Sequence, residues 1–159
     1  MTPVIRRAVG RAAERLGALH STCWGELYTD VLPADVLADL SPAVMHQLWK
    51  RYVARGDAYS QVVAEVDGAV VGFAGFGPGR DPGFGSLVEV YFCYVDARFQ
   101  RSGIGSLLLA TQPDAAYLWI SERNFGAHSF YRRNGFGSDS RRRLGSLFGT
   151  DLPEIRMIR

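Results

Sequence analysis

Lysine is almost absent from this chain: of its 18 basic residues, Lys50 alone is lysine and the others are arginine. A P-loop carries a Gly-Lys pair whose ammonium reaches the phosphates, and Lys50 follows Trp49, so a Walker-type NTPase is excluded. A Schiff-base enzyme would depend on Lys50 alone, in a polar helical stretch. Cysteine is equally sparse. Cys23 and Cys93 lie seventy positions apart with no CxxC or CxxxH pattern, which argues against a structural metal site. No uncharged run exceeds twelve residues, as in Ser102 to Pro113, too short to span a bilayer. The opening Met1-Thr2-Pro3-Val4-Ile5-Arg6-Arg7 has no apolar core of signal-peptide length, so a cytoplasmic protein with reduced thiols is expected. A net charge of +2 gives no ground for nucleic-acid binding.

What is present fits one soluble domain over residues 1–159, with 47% hydrophobic and 21% charged residues. Val4 to Val9 reads as a short strand. Ala12, Leu16, Leu19, Cys23 and Leu27 recur at spacings of three or four, which predicts a helix over Ala12–Tyr28. Asp35–Leu40 and Pro42–Val53 read as two further helical pieces, the second capped by Ser41 with proline at its first position. Gln61–Val66 and Ala69–Ala74 flank Asp67-Gly68, a type I′ hairpin signal. Gly75–Gly85 holds five glycines and two prolines and reads as a loop. Leu87–Val95 and Tyr117–Ile120 read as strands, Phe125–Asn134 as a helix closed by Gly135, and Ile155–Arg159 as a last strand. The expected class is α+β (mixed α/β), a mixed sheet with helices on it.

One junction carries chemistry. After the strand ending at Val95, Gln100-Arg101-Ser102-Gly103-Ile104-Gly105-Ser106 opens a helix. Amides at a helix start have no acceptor within the helix and lie at the positive end of its dipole, so they bind anions. Glycine lets the backbone approach a phosphate without a Cβ in the way. A ligand-free glycine turn is the competing reading. A Rossmann fingerprint is excluded, because GxGxxG is missing.

Gln-x-x-Gly-x-Gly (Gln100 to Gly105), followed by Asn-x-x-Ala-x-x-Phe-Tyr-x-x-x-Gly-Phe (Asn124 to Phe136), resembles the GNAT superfamily of acyl-CoA-dependent N-acetyltransferases. Glu89-Val90-Tyr91-Phe92-Cys93-Tyr94-Val95-Asp96 resembles the family's fourth strand. The spacing from Glu89 to the loop is similar to that of the catalytic glutamate in the histone acetyltransferase branch. Trp24, Leu32-Pro33 and the Asp67-Gly68 hairpin resemble small bacterial members. Ser102 stands where glycine or lysine is common. The stretch from Gly105 to Tyr117 is short, and Pro113 should stop the helix near Thr111 or Gln112.

The resemblance implies a central mixed, mostly antiparallel sheet of about six to seven strands flanked by about four helices, and acetyl-CoA as co-substrate, with no metal. The loop amides of Arg101, Gly103, Gly105 and Ser106, with Ser102, Ile104 and the Gln100 side chain, would hold its pyrophosphate. Main-chain groups of Cys93 and Val95 would pair with the pantetheine arm, and Asn124 would bond to it or cap its helix. The Cys93 amide would meet the thioester carbonyl. A period-two strand puts Glu89, Tyr91, Cys93 and Val95 on one face, which makes Glu89 the candidate base. A solvated carboxylate at a strand start is its rival. Tyr131 is the candidate acid for the leaving thiolate, or else a core tyrosine. Trp24, Tyr28, Glu89 and Tyr91 are candidates for the acceptor side, beside Trp49, Tyr52, Glu26 and Asp30. Arg141-Arg142-Arg143 would meet an anion or stay solvated. The expected partner is a small-molecule amine, in a monomer or homodimer. The alternatives are a protein N-terminal or lysine amine, and a CoA-binding module without turnover.

Overall fold

The computed structural model describes residues 2–112 and 115–159. In chain order its elements are β1 (Val4–Arg7), α1 (Ala13–Tyr28), α2 (Ala34–Asp39), α3 (Pro42–Val53), β2 (Ser60–Val66), β3 (Ala69–Pro78), β4 (Val88–Val95), α4 (Ile104–Leu109), β5 (Ala116–Ser121), α5 (Phe125–Arg133), β6 (Gly137–Leu147) and β7 (Thr150–Ile158). Short 3₁₀ turns at Gly10–Ala12 and Ala97–Phe99 precede α1 and α4. The strands form one mostly antiparallel sheet in the order β1-β2-β3-β4-β5-β7-β6. The parallel pair is β4 and β5, in register at Val88↔Ala116 and Glu89↔Tyr117. A parallel pair needs a crossover, and the segment bearing α4 supplies it.

The chain divides into two compact units, residues 1–75 with 92–111 and residues 76–91 with 112–159. In the first, Ala13, Leu16, Gly17, His20 and Cys23 form the buried stripe of α1. Leu16 packs with Ala8, Ala12, Ala13, Trp49, Val63 and Phe73 in one core. Leu27, expected on that stripe, is exposed, and His20 takes an inward place instead. Gly17 lets α1 approach α3, since a Cβ there would lie 2.5 Å from the His46 nitrogen. Ser41 caps α3, accepting from the Val44 amide at 3.4 Å, and Pro42 opens the helix. Asp67 and Gly68 both have positive φ, as the primed hairpin requires.

The second unit holds β5, α5, β6 and β7. β7 lies between β5 and β6 and is antiparallel to both. β6 is the element the sequence pattern does not mark, because its residues are polar and nearly all exposed, without alternation. Two boundaries also differ from expectation. β3 runs on to Pro78, so the first part of the glycine-rich stretch is strand and the loop begins at Gly79. α4 stops at Leu109, ahead of the expected Thr111 or Gln112, and Pro113 lies outside the described residues. There are five α-helices among the described residues, and the short α2 is separate from α3, as Asp35–Leu40 and Pro42–Val53 led one to expect.

Candidate active site

Glu89 is the second residue of β4, and the β4–β5 register sets it directly across from Tyr117. Its side chain is 1% exposed, so the solvated reading does not hold. Four donors converge on the carboxylate. The Arg80 backbone N–H and Nε each donate to Oε2 at 3.0 Å, and the Tyr117 hydroxyl donates to the same oxygen at 3.0 Å. Oε1 accepts from Arg80 Nη2 at 2.6 Å. The Tyr117 hydroxyl is itself oriented, because it accepts from the Asp81 amide at 3.0 Å. Burial, with the Glu89 and Asp81 carboxylates nearby, holds the Tyr117 phenol above its usual range. The hydrogen bond to Glu89 holds the Arg80 guanidinium above its usual range.

Arg80 and Asp81 come from the glycine-rich loop, which sequence reasoning left without a function. Their signal was two adjacent charged residues inside a run of glycine and proline. Gly79 makes the loop possible, since a Cβ there would run into the Phe84 carbonyl oxygen. Its amide donates to Leu87 O at 2.9 Å, which closes the loop on itself. The Arg80 guanidinium also lies 4.5 Å from the centroid of Tyr91, whose hydroxyl donates to Pro78 O at 2.7 Å. Asp81 accepts from Trp119 Nε1 at 3.0 Å and from Arg156 Nη1 at 2.9 Å.

The β6 bulge, where the register shifts between Ser138 and Arg142, presents Asp139 to Arg156 at 2.8 Å and 2.5 Å. Burial pulls the Asp139 carboxyl upward, but Arg156 and the Arg141 amide outweigh it and leave it below the usual range. The arginine run is largely engaged as well. Arg142 pairs with Glu122, and Arg143 pairs with Glu154 at 2.6 Å and lies over Trp119.

In the same unit Asn124 caps α5, its Oδ1 accepting from the Ala127 amide at 3.0 Å. This leaves its amide N–H groups as the donors for a ligand. Tyr131 is buried on α5, with its ring against Phe130 and Phe136. Gly135, at φ +86, ends the helix.

The other unit carries the anion-binding candidates. Asp96 caps the turn after β4, accepting from the Arg98 amide at 2.9 Å. Gln100 Nε2 donates to Val95 O at 3.1 Å, so two predicted cofactor contacts engage each other. Ser102 Oγ donates to Phe99 O at 2.5 Å. Arg101 at φ +60 and Gly103 at φ +86 are both left-handed, a concave arrangement of amides that favours anions. Ile104 is buried and anchors α4, and Leu107 N donates to Gly103 O at 3.1 Å. The amides of Ile104, Gly105 and Ser106 precede that bond and have no acceptor within the helix. Arg101, Ser102, Gly103 and Ser106 are exposed.

Cys93 is half-buried, and desolvation pushes its thiol up to about 12, which disfavours the thiolate. Trp24 and Tyr28 stack edge to face along α1 at 5.3 Å. The structure thus gathers Cys93, Val95, Gln100 to Ser106, Trp24 and Tyr28 in one unit, and Glu89, Tyr91, Asn124 and Tyr131 in the other. No cluster of metal-ligating side chains occurs among the described residues. No helix among them is long and apolar enough to cross a membrane.

Residues 57–137, just over half of the chain, match the family description "Acetyltransferase (GNAT) domain". The chain is 28% identical over 128 residues to an uncharacterized N-acetyltransferase, YuaI, of Bacillus subtilis, covering 76% of this chain and 72% of that one. It is 29% identical over 149 residues to "Probable N-acetyltransferase Rv2775" of Mycobacterium tuberculosis, covering 89% and 84%. A ribosomal-protein-alanine N-acetyltransferase from Brucella melitensis superposes with a TM-score of 0.72 at 26% identity, over 98% of each chain. The PaiA N-acetyltransferase from Thermoplasma acidophilum, solved with coenzyme A, has the same fold, with a TM-score of 0.71 at 18% identity over 98% of each chain. With the parallel β4–β5 pair, the left-handed loop that opens α4 and the Asn124–Tyr131 helix in place, the chain belongs to the GNAT family of N-acetyltransferases, on a fold that binds acetyl-CoA.

Proposed function

We propose that residues 1–159 act as one acetyltransferase domain that moves the acetyl group of acetyl-CoA onto a primary amine of a small molecule, by direct attack in a ternary complex. The observation that carries this reading is the buried Glu89 carboxylate, oriented by four donors on the strand that leads into the anion-binding loop. Acetyl-CoA supplies the activated acetyl thioester. The Arg101, Gly103, Gly105 and Ser106 amides hold its pyrophosphate, with Gln100, Ser102 and Ile104 shaping the loop. The Cys93 amide bonds to the thioester oxygen, and Cys93 and Val95 align the pantetheine arm with Asn124.

An alkyl ammonium has a pKa of about 10.4, so the acceptor must lose a proton as it attacks. Of the Glu89 oxygens, Oε2 already accepts three hydrogen bonds and Oε1 accepts one. Oε1 therefore has the spare lone pair to receive an amine proton, directly or through a water. The nitrogen becomes far more acidic as its bond to the carbonyl carbon forms, which makes a carboxylate sufficient. Tyr131 donates to the leaving thiolate. A phenol near pKa 10 and a thiol near 8.5 are close enough for that transfer. Trp24, Tyr28 and Tyr91 contribute to the acceptor side.

A panel of small amines with acetyl-CoA, read by free-thiol release, tests the reading. Glu89→Gln and Tyr131→Phe should each lower kcat by about 10²- to 10⁴-fold. Full turnover in both variants overturns the assigned roles. A second reading, an N-terminal amine of a protein, is favoured by the likeness to the ribosomal-protein-alanine N-acetyltransferase. Turnover of an Ala-initiated peptide with none of any small amine would decide for it.

A further inference from the structure

We infer that Arg80 is a positioning residue for acyl transfer: its guanidinium fork and backbone amide, with the Tyr117 hydroxyl, hold the Glu89 carboxylate so that Oε1 faces the acceptor. This rests on Glu89 being the base, as proposed above.

The donors are unevenly shared. Three lie on Oε2 and one on Oε1, so the clamp leaves one oxygen with capacity and fixes which one it is. The two arginine bonds come from Nε and Nη2, the side of the fork that matches a carboxylate edge to edge. That match fixes the plane of the carboxylate, which a point charge could not do. The partners differ sharply in burial. The Glu89 side chain is 1% exposed and that of Arg80 64%. A surface cation thus reaches down to a buried anion and does not form a dry pair. Besides Glu89, the Arg80 guanidinium meets the Tyr91 ring.

The loop is built to keep it there. Gly79 is tight against Phe84, the Tyr91 ring lies along the guanidinium, and the Tyr91 hydroxyl ties back to Pro78. Tyr117 is held the same way, by the Asp81 amide that follows Arg80. One dipeptide, Arg80-Asp81, therefore sets both partners of Glu89.

The test uses the full chain, acetyl-CoA and the fastest amine of the panel. Arg80→Ala and Arg80→Lys are made in the wild-type and Glu89→Gln backgrounds, with melting temperature and circular dichroism confirming the fold. Arg80→Ala should lower kcat by about a hundredfold, because a misplaced reacting group costs that much, with little change in the KM for acetyl-CoA. Arg80→Lys should restore only part of the loss, since it keeps the charge and loses the fork. In the Glu89→Gln background the same substitutions should change kcat by less than about twofold, because the two residues act as one device.

An unchanged kcat in Arg80→Ala overturns the inference, and so does an equal loss in both backgrounds. Activity untouched by Glu89→Gln, or a wild type silent on the whole panel, overturns the underlying reading instead. If Arg80→Ala does not fold, Tyr117→Phe, which keeps the ring and removes one donor, should lose about tenfold in kcat only when Glu89 is present. A loss that ignores the Glu89 background again overturns the inference.

Discussion

His20 is a buried imidazole, 1% exposed, and neither ring nitrogen has a hydrogen-bond partner among the described residues. Its ring sits 5.0 Å from those of Trp24 and Phe73 and 5.4 Å from that of Tyr94. In that hydrocarbon setting burial drives its pKa down to about 3, so the folded state holds it neutral. The sign of the effect on stability follows. An unfolded chain protonates this histidine below about 6.5, whereas the folded chain does so only near 3. Stability is therefore fully present above 6.5 and falls with pH by about 1.4 kcal/mol per unit in between. The depressed carboxyls of Glu65, Asp96 and Asp139 start from usual values of 4.5, 3.8 and 3.8 and lose their contribution at lower pH, below the window from 6.5 to 5 in which His20 acts. Urea midpoints at pH 7.5 and 5.5 should differ in the wild type, and His20→Leu should flatten that difference. An equal acid slope in both proteins would disprove the assignment. The helical spacing of α1 marked Leu19 and Leu27 as inward, yet His20 is the buried one and Leu27 is exposed. Periodicity finds an apolar face but cannot anticipate a polar side chain that an aromatic cluster encloses.

The loop that opens α4 makes the clearest prediction for an element. Gly103 sits at φ +86 with open space around its Cβ position, so Gly103→Ala adds backbone strain without a clash. Left-handed backbone costs an L-residue about 1–2 kcal/mol, and the melting temperature should fall accordingly. If this turn holds the pyrophosphate, the KM for acetyl-CoA should rise while kcat at saturation changes little. A lowered kcat with unchanged KM would separate the loop from the cofactor. This turn was legible in the sequence because glycine spacing reports a backbone requirement directly. The hairpin at Asp67-Gly68 and the Ser41 cap of α3 were legible for the same reason. β6 was not legible, since it is a sheet-edge strand whose polar residues Ser138, Asp139 and Arg141 to Arg143 leave no apolar rhythm. Its turn is equally hidden: Phe148 adopts φ +49 ahead of Gly149, where Asn or Asp would be the usual signal. Glu89 stood out from its spacing to the loop. Its partners Arg80 and Tyr117 did not, because Tyr117 meets it through a parallel register and Arg80 through a loop that closes back before β4, and both follow from the fold.

At the scale of the whole chain, the expected chemistry is divided between two compact units, while β3 and β4 each run through both. Residues 69–75 and 92–95 of these strands belong to one unit, and residues 76–78 and 88–91 to the other. Pulling one unit apart therefore breaks strands that the other needs, and the chain should unfold in one transition. The tryptophans allow this to be checked. Trp24 and Trp49 report on the first unit, and Trp119, bonded to Asp81 and stacked under Arg143, reports on the second. With Trp24→Phe and Trp49→Phe combined, Trp119 fluorescence and far-UV circular dichroism should melt at the same temperature. The same coincidence should hold for Trp49 when Trp24 and Trp119 are replaced. Coenzyme A at a hundred times its Kd should add about 2.7 kcal/mol. For a chain of this size that is a rise of about 5–10 °C at about 2–4 °C per kcal/mol. The loop proposed for the pyrophosphate lies in the first unit, and Asn124 and Tyr131, proposed for the pantetheine arm and the thiol, lie in the second. An equal rise at both probes is the outcome expected of one cooperative transition. A rise at Trp49 with none at Trp119 would show two units that unfold independently, and would refute a single cooperative domain.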